Sequence, residues 1–276
     1  MERERTEKSA QPIVVYGATA LGTAAAVRLG ERAILLEKSG WAAWEFSACF
    51  EPGEGPWEAE TPEGEALKEE LTRRAVLASG KTHIQGAAPV FFRILRDRNV
   101  RALFRTEIVS VSEQDGGYAV TFADDEGFHT LQAAAVLDTT SSGETLPFLE
   151  KPPFRKSLNA TLVPEKVDEA PPSTEEPQFR LIPGSFPDEF YLRFFPDPGG
   201  SLYEARKALF SLWGKRSEGL RNWRIGAVSP EFSLRCEAET LRISDRRVWA
   251  PSAARRNLLA AFEAGLTLPL FDGMEV

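Results

Sequence analysis

Four residues near the front of the chain have the types and spacing to hold a charged nucleotide: Gly17, Thr19, Gly22 and Glu37. The first three sit in Gly17-Ala18-Thr19-Ala20-Leu21-Gly22, between the apolar run Ile13-Val14-Val15-Tyr16 and the alanine-rich Thr23-Ala24-Ala25-Ala26. In a Gly-x-Gly-x-x-Gly turn the first glycine reverses the chain tightly. The second lets bare backbone approach a diphosphate, and the third lets helix and strand pack closely. Here Thr19 takes the second place and narrows the gap. Its hydroxyl can still donate to an anion, and the N–H groups that open a helix lack intrahelical partners. Glu37 ends a second apolar run, Ala33-Ile34-Leu35-Leu36, twenty residues after Gly17. A carboxylate there accepts from ribose hydroxyls and disfavours a 2′-phosphate. The cofactor-binding set in this stretch is therefore Gly17, Ala18, Thr19, Leu21, Gly22, Glu37 and the adjoining Lys38.

The elements that must position these groups follow from periodicity. Residues 13–17 and 33–37 read as parallel strands around a helix from about Gly22 to Leu29, which Gly30 ends. Residues 38–62 are rich in Gly, Pro, Trp and Glu and read as a long, partly ordered loop. Thr61 caps a helix over 62–77 whose Leu67, Leu71 and Val76 share a face. A second helix spans Pro89–Asn99. The run 102–113 reads as one strand that returns through a turn at 114–117 into Tyr118–Phe122 as a hairpin. Phe128–Gln132 is another strand, and 133–140 suits a strand buried on both faces of a parallel sheet. Residues 147–187 hold many prolines and acids and read as linker or surface loop. Phe179 to Phe195 alternates as a hairpin, Ser201–Trp213 as an amphipathic helix, 247–250 as a strand and 253–266 as a last helix.

Composition narrows the classes. The chain has 276 residues, 42% of them hydrophobic and 10% aromatic, as expected of one large domain or two intimate ones. A net charge of −8 with no basic block argues against nucleic acid and anionic membranes as partners. No apolar run is long enough to span a bilayer, and the charged start Met1-Glu2-Arg3-Glu4-Arg5 is not a signal peptide. Two cysteines and two histidines, far apart, give neither metal spacing nor a disulfide framework. The expectation is a cytoplasmic protein without metal.

The order of pieces resembles the FAD-dependent oxidoreductases with two dinucleotide-binding domains, whose relatives include glutathione-reductase-like, amine-oxidase-like and aromatic-hydroxylase-like flavoproteins. The resemblance covers roughly residues 12–143 and 241–266. It implies an α/β fold: a Rossmann-like FAD/NAD(P)-binding domain with a central parallel sheet, a three-stranded β insertion and a small β-rich cap. The implied division is a disordered 1–11, a dinucleotide-binding domain of 12–146 plus 241–276, and a cap of 147–240. It further implies that the backbone at Ile108 and Val109 meets the adenine. Leu137-Asp138-Thr139-Thr140-Ser141-Ser142-Gly143 matches an apolar strand followed by Ala-Thr-Gly, with Thr140 at the threonine and Ser141 at the glycine. At the C-terminal Gly-Asp motif, which holds the flavin ribityl chain, this chain has Pro251 and Ser252.

Such a flavoprotein would oxidise a small organic substrate through FAD. Two other readings stay open. One is a flavoprotein-like fold without flavin that serves as a binding or partner subunit, or a homo-oligomer. The other is an NAD-binding protein using the N-terminal motif alone. Candidates for chemistry are Cys49, in the loop after Glu37, and His83, between two helices. Tyr191 and Arg193 alternate on one strand face, where they could grip a carboxylate. Arg255 or Arg256 could meet a diphosphate in place of the absent Gly-Asp.

Overall fold

The computed structural model describes residues 11–146, 154–166, 169–237 and 240–269. The expected disorder of 1–11 falls almost wholly outside them. The elements run β1 (Ile13–Tyr16), α1 (Ala20–Leu29), β2 (Ala33–Glu37), α2 (Trp44–Ser47), α3 (Pro62–Arg73), β3 (Leu77–Ala78), β4 (Lys81–Thr82), α4 (Ala87–Asp97) and β5 (Arg101–Phe104). They continue with β6 (Glu107–Gln114), β7 (Gly117–Asp124), β8 (Gly127–Ala133), β9 (Ala135–Asp138), β10 (Arg155–Pro164), β11 (Phe179–Pro183) and β12 (Phe190–Phe194). The rest are α5 (Leu202–Trp213), β13 (Trp223–Val228), β14 (Ser233–Arg235), β15 (Leu241–Ser244), β16 (Arg247–Trp249) and α6 (Leu258–Thr267).

The central sheet has the order β15-β16-β9-β1-β2-β5, with β15 antiparallel to β16 and every other pair parallel. β1 and β9 are buried along their whole length. Their unbroken apolar runs are what a doubly covered parallel strand requires. Helices α1, α3, α4 and α6 cover one face around Leu21, Leu71, Phe91 and Phe262. The antiparallel sheet β6-β7-β8 covers the other, where Tyr118 and Val120 meet Tyr16 and Leu36. The β11-β12-β10-β13 sheet, with β14 beside β10, packs on α5 and forms a second core. This is the α/β architecture with a central parallel sheet, a three-stranded insertion and a β-rich cap. β1 sits where the strand order reverses, so its carboxyl end and that of β9 define the crevice in which such sheets bind ligands.

Three local expectations change. The run 102–113 is two strands, because Arg105 adopts a left-handed backbone (φ 57°). The first half joins the parallel sheet beside β2 and the second starts the insertion. Within the supposed linker 147–187, Arg155–Pro164 forms β10, the strand that pairs with β12, β13 and β14. Leu158, Ala160 and Leu162 alternate inward along it. In the supposed loop 38–62, residues 42–49 are all buried and include α2.

Candidate cofactor site

The glycine turn takes the geometry its glycines allow. Gly17 has φ +97° and donates its N–H to the Leu36 carbonyl at 2.8 Å. A Cβ on Gly22 would stand 2.1 Å from the Gly17 carbonyl oxygen, so only glycine lets α1 lie this close to β1.

Four N–H groups of that turn, those of Ala18, Ala20, Leu21 and Gly22, are already engaged by this chain's own atoms. Ala18 donates to Glu37 Oε2 at 2.7 Å, and Ala20 to Glu45 Oε1 at 2.8 Å. Leu21 donates to Ser252 Oγ at 3.4 Å, and Gly22 to Thr19 Oγ1 at 2.9 Å. The Ser252 hydroxyl donates in turn to Glu45 Oε1 at 2.6 Å. Thr19 thus caps α1, and its hydroxyl donates to Thr139 Oγ1 at 2.8 Å rather than to a ligand. The side chain at the second glycine position uses one N–H, and Ser252, at the position of the missing acid, fixes the carboxylate that uses another. Thr19, Ala20, Leu21 and Ser252 all have 0% exposure.

The rest of the expected nucleotide track is filled likewise. Glu37 is buried, its Oε1 accepting from the Ser39 N–H at 2.7 Å. Burial pushes its carboxyl above the ordinary range although those donors oppose the shift. The Ile108 backbone meets the Tyr16 hydroxyl. That hydroxyl also donates to Glu144 at 3.2 Å, and Lys38 pairs with Glu144 at 2.5 Å. Asp138 accepts from the N–H and hydroxyl groups of both Thr140 and Thr145, folding the 139–145 turn onto itself. Trp249 donates its indole N–H to the Thr140 carbonyl at 2.9 Å, and Ser141 is buried beside them.

Glu45 is the residue that sequence reasoning missed. Burial raises its carboxyl to about 7, against its hydrogen bonds to Ser252 and Ala20. Its Oε2 is buried with no hydrogen-bond partner among the described residues. The available signal was a lone acid inside Ala42-Ala43-Trp44-Glu45-Phe46-Ser47-Ala48-Cys49, a run with no other charge. A buried acid must find donors, and the free N–H groups of a helix start are a common source.

The proposed chemical groups are placed elsewhere. Cys49 is 1% exposed, its Sγ lies 3.4 Å from the Phe232 carbonyl, and burial pushes the thiol up, away from thiolate reactivity. His83 Nδ1 lies 2.7 Å from Glu189 Oε1, which also accepts from the Tyr191 hydroxyl at 2.6 Å. Tyr191 thus braces a contact between β12 and the segment before α4, accepting the Ile84 N–H at 3.0 Å. Arg193 is paired with Glu51, and with Glu54 at 2.6 Å. The pair expected to grip a substrate carboxylate is occupied by carboxylates of this chain. Arg255 and Arg256 line a cleft of about 930 Å³ with Glu58 and Glu60, beside α6 and apart from the turn.

With this geometry established, comparison with known proteins gives a family. A sequence profile described as FAD dependent oxidoreductase matches residues 12–152, just over half of the chain. The chain belongs to that FAD-dependent oxidoreductase family. No curated protein matches its sequence. Among solved structures, p-nitrophenol 4-monooxygenase from Pseudomonas putida DLL-E4 is 16% identical with a TM-score of 0.58, the match covering 93% of this chain and 76% of that one. Aklavinone-11 hydroxylase, solved with FAD and aklavinone, is 15% identical with a TM-score of 0.63, over 94% of this chain and 62% of that one. L-proline dehydrogenase from P. horikoshii is 12% identical with a TM-score of 0.62, over 93% and 91%. These likenesses carry the fold. Membership of the family supports FAD as the cofactor of this oxidoreductase. In the arrangement seen here, the turn that would hold the FAD diphosphate does not fit it, because Glu45 and Ser252 take its donors. Among the described residues no helix is long and apolar enough to cross a membrane, and no cluster of His, Cys, Asp and Glu could hold a metal.

Proposed function

We propose that this chain works as a FAD-dependent oxidoreductase on a small organic molecule. One observation carries the reading: the family match spans a β-α-β unit in which Gly17 follows β1, Gly22 lies in the first turn of α1 and Glu37 ends β2. The structural neighbours named above act on small molecules of that kind, which supports the substrate class and leaves its member open. The cap built on β10 and β12 is the natural substrate-facing unit, and the division into 12–146 with 241–276 against 147–240 belongs to this proposal. So do the cytoplasmic location and the contacts of Gly17, Ala18, Thr19, Leu21, Gly22, Glu37, Lys38, Ile108, Thr140, Ser141 and Ser252 with the nucleotide.

The chemistry itself would come from the flavin. The chain's own groups supply a rigid turn, an acid at the ribose position and a capped α1. The test is the visible spectrum of the purified protein before and after FAD is added, with NAD added in parallel. Uptake of a flavin spectrum supports the reading. A colourless protein indifferent to FAD overturns it, and protection by NAD against heat without flavin uptake points to the N-terminal motif acting alone.

A further inference from the structure

The geometry points to Glu45 as an internal stand-in for the FAD diphosphate, a carboxylate latch that competes with the cofactor for the start of α1. The inference rests on the FAD reading for the identity of the competing ligand. The occupied site itself stands on independent contacts.

Three observations carry it. First, Glu45 takes the donors an anion would use. Its Oε1 accepts the Ala20 N–H at 2.8 Å and the Ser252 hydroxyl at 2.6 Å, at the positive end of α1. Second, the carboxylate is held incompletely. Oε2 has no hydrogen-bond partner among the described residues and lies in a buried site, and burial drives the group toward its neutral form. A ligand bringing its own full set of acceptors would relieve that cost. Third, the segment carrying Glu45 is bracketed by strained backbone. Ala43 before α2 and Phe50 after it both have φ 49°, a left-handed conformation that non-glycine residues rarely adopt. The Ala43 N–H donates to the Ala18 carbonyl at 2.7 Å, so α2 is docked directly on the turn. Swinging α2 away would uncover the Ala20 N–H and free the Ser252 hydroxyl together.

A latch of this kind sets the fraction of molecules able to bind, and apparent affinity falls by that fraction. Truncating the latch should therefore tighten binding. Glu45→Gln, which keeps an acceptor of the same shape without the charge, should leave the site closed. The experiment titrates wild type, Glu45→Ala, Glu45→Ser and Glu45→Gln with FAD, read by quenching of flavin fluorescence. Each protein is also heated with and without inorganic pyrophosphate, with far-UV circular dichroism as the check on folding.

The expected result is that Glu45→Ala and Glu45→Ser bind FAD about tenfold or more tighter than wild type, while Glu45→Gln binds no better than wild type. Pyrophosphate should raise the melting temperature of the truncated variants alone. Should wild type and all variants bind FAD equally, the latch is wrong and the cofactor reading survives. If pyrophosphate stabilises the truncated variants but FAD binds none of the proteins, the latch holds and the cofactor reading fails. Folded truncations that take up neither ligand overturn the latch. Glu45→Ser carries the same outcomes if Glu45→Ala does not fold.

Discussion

Glu45 and Glu51 lie six residues apart, both are almost wholly buried, and their carboxyl groups are pushed in opposite directions. At the mouth of the central sheet Glu45 meets neutral donors, backbone N–H groups and a hydroxyl, and desolvation wins. At the seam between the central sheet and the cap, burial also pushes Glu51 up, but Arg193 and Arg235 outweigh it and hold the carboxyl below its ordinary value. Ser233 donates to its other oxygen at 3.0 Å. Burial alone therefore does not say what a carboxylate is for. A permanent charge is paired with a charge, as at the seam. A carboxylate held by neutral dipoles, as at the mouth, is easier to displace.

The hardest test of that contrast is at the seam. Glu51→Ala leaves Arg235 without its carboxylate and Arg193 with Glu54 alone, in a largely buried site, and should cost roughly 3–5 kcal/mol of unfolding free energy in urea. Replacing both partners, as Glu51→Leu with Arg193→Met, should recover most of the loss, because the remaining Arg235 reaches solvent. If the double variant is as unstable as the single one, the pair does more than hold the two layers together.

The opposite shifts give the two regions opposite pH responses. Glu45 has a folded value of about 7 against an ordinary value of 4.5, so between these limits the folded state binds more protons than the unfolded one. Stability from this group is greatest in acid, falls as pH rises from about 4.5 to about 7, and then levels; the full change is about 3 kcal/mol. Burial raises Glu37 and Asp138 in the same sense. Glu51 is lowered, so its contribution is present above the unfolded value and is lost only as pH falls through the folded one. Glu45→Gln should match wild type near pH 5 and become the more stable protein toward pH 8. A difference between the two that stays flat with pH would remove the distinction between mouth and seam.

A smaller effect tests the rigidity of the mouth. Gly22→Ala would place a Cβ 2.1 Å from the Gly17 carbonyl oxygen and 2.6 Å from Thr139 Oγ1. Backbone cannot yield there, so α1 must lift from β1 at a cost of about 1–3 kcal/mol. The change should also disturb the Ala20–Glu45 contact, seen as faster hydrogen exchange at the Ala20 amide.

The frame of this contrast was legible in the sequence and its occupants were not. Ile13–Tyr16, the glycine turn, Ala33–Glu37 and the amphipathic α3, α4 and α5 follow from local periodicity and capping, and the structure has them within a few residues. β10 was hidden because prolines on both sides made its region resemble a linker, although Leu158, Ala160 and Leu162 alternate. The break at Arg105 carries no glycine to announce it. Glycine spacing showed where an anion belongs at the start of α1. It could not show that Glu45 would fill the place, since the contact joins residues 25 apart through a segment without clear periodicity, and Ser252, 207 residues from Glu45, completes it. Pro251 and Ser252 looked like losses from the Gly-Asp motif. In the structure Ser252 is the group that holds Glu45 in place.

The mildest test returns to the seam, at the contact of His83 with Glu189. The Glu189 hydrogen bond raises the imidazole of His83 against partial burial, and the His83 side chain is 37% exposed. Because the folded value exceeds the unfolded one, the bond's contribution is complete below the unfolded value and disappears as pH rises through the folded value. Solvent screening at that exposure limits it to below about 1 kcal/mol. His83→Asn should therefore reduce stability slightly near pH 5.5 and not at all near pH 8.5, while leaving the response of Glu45→Gln unchanged, because His83 and Glu45 share no hydrogen-bond partner among the described residues. If His83→Asn altered the Glu45 response, the mouth and the seam would be one coupled unit, and α2, which leads from Glu45 toward Glu51, would be the element joining them.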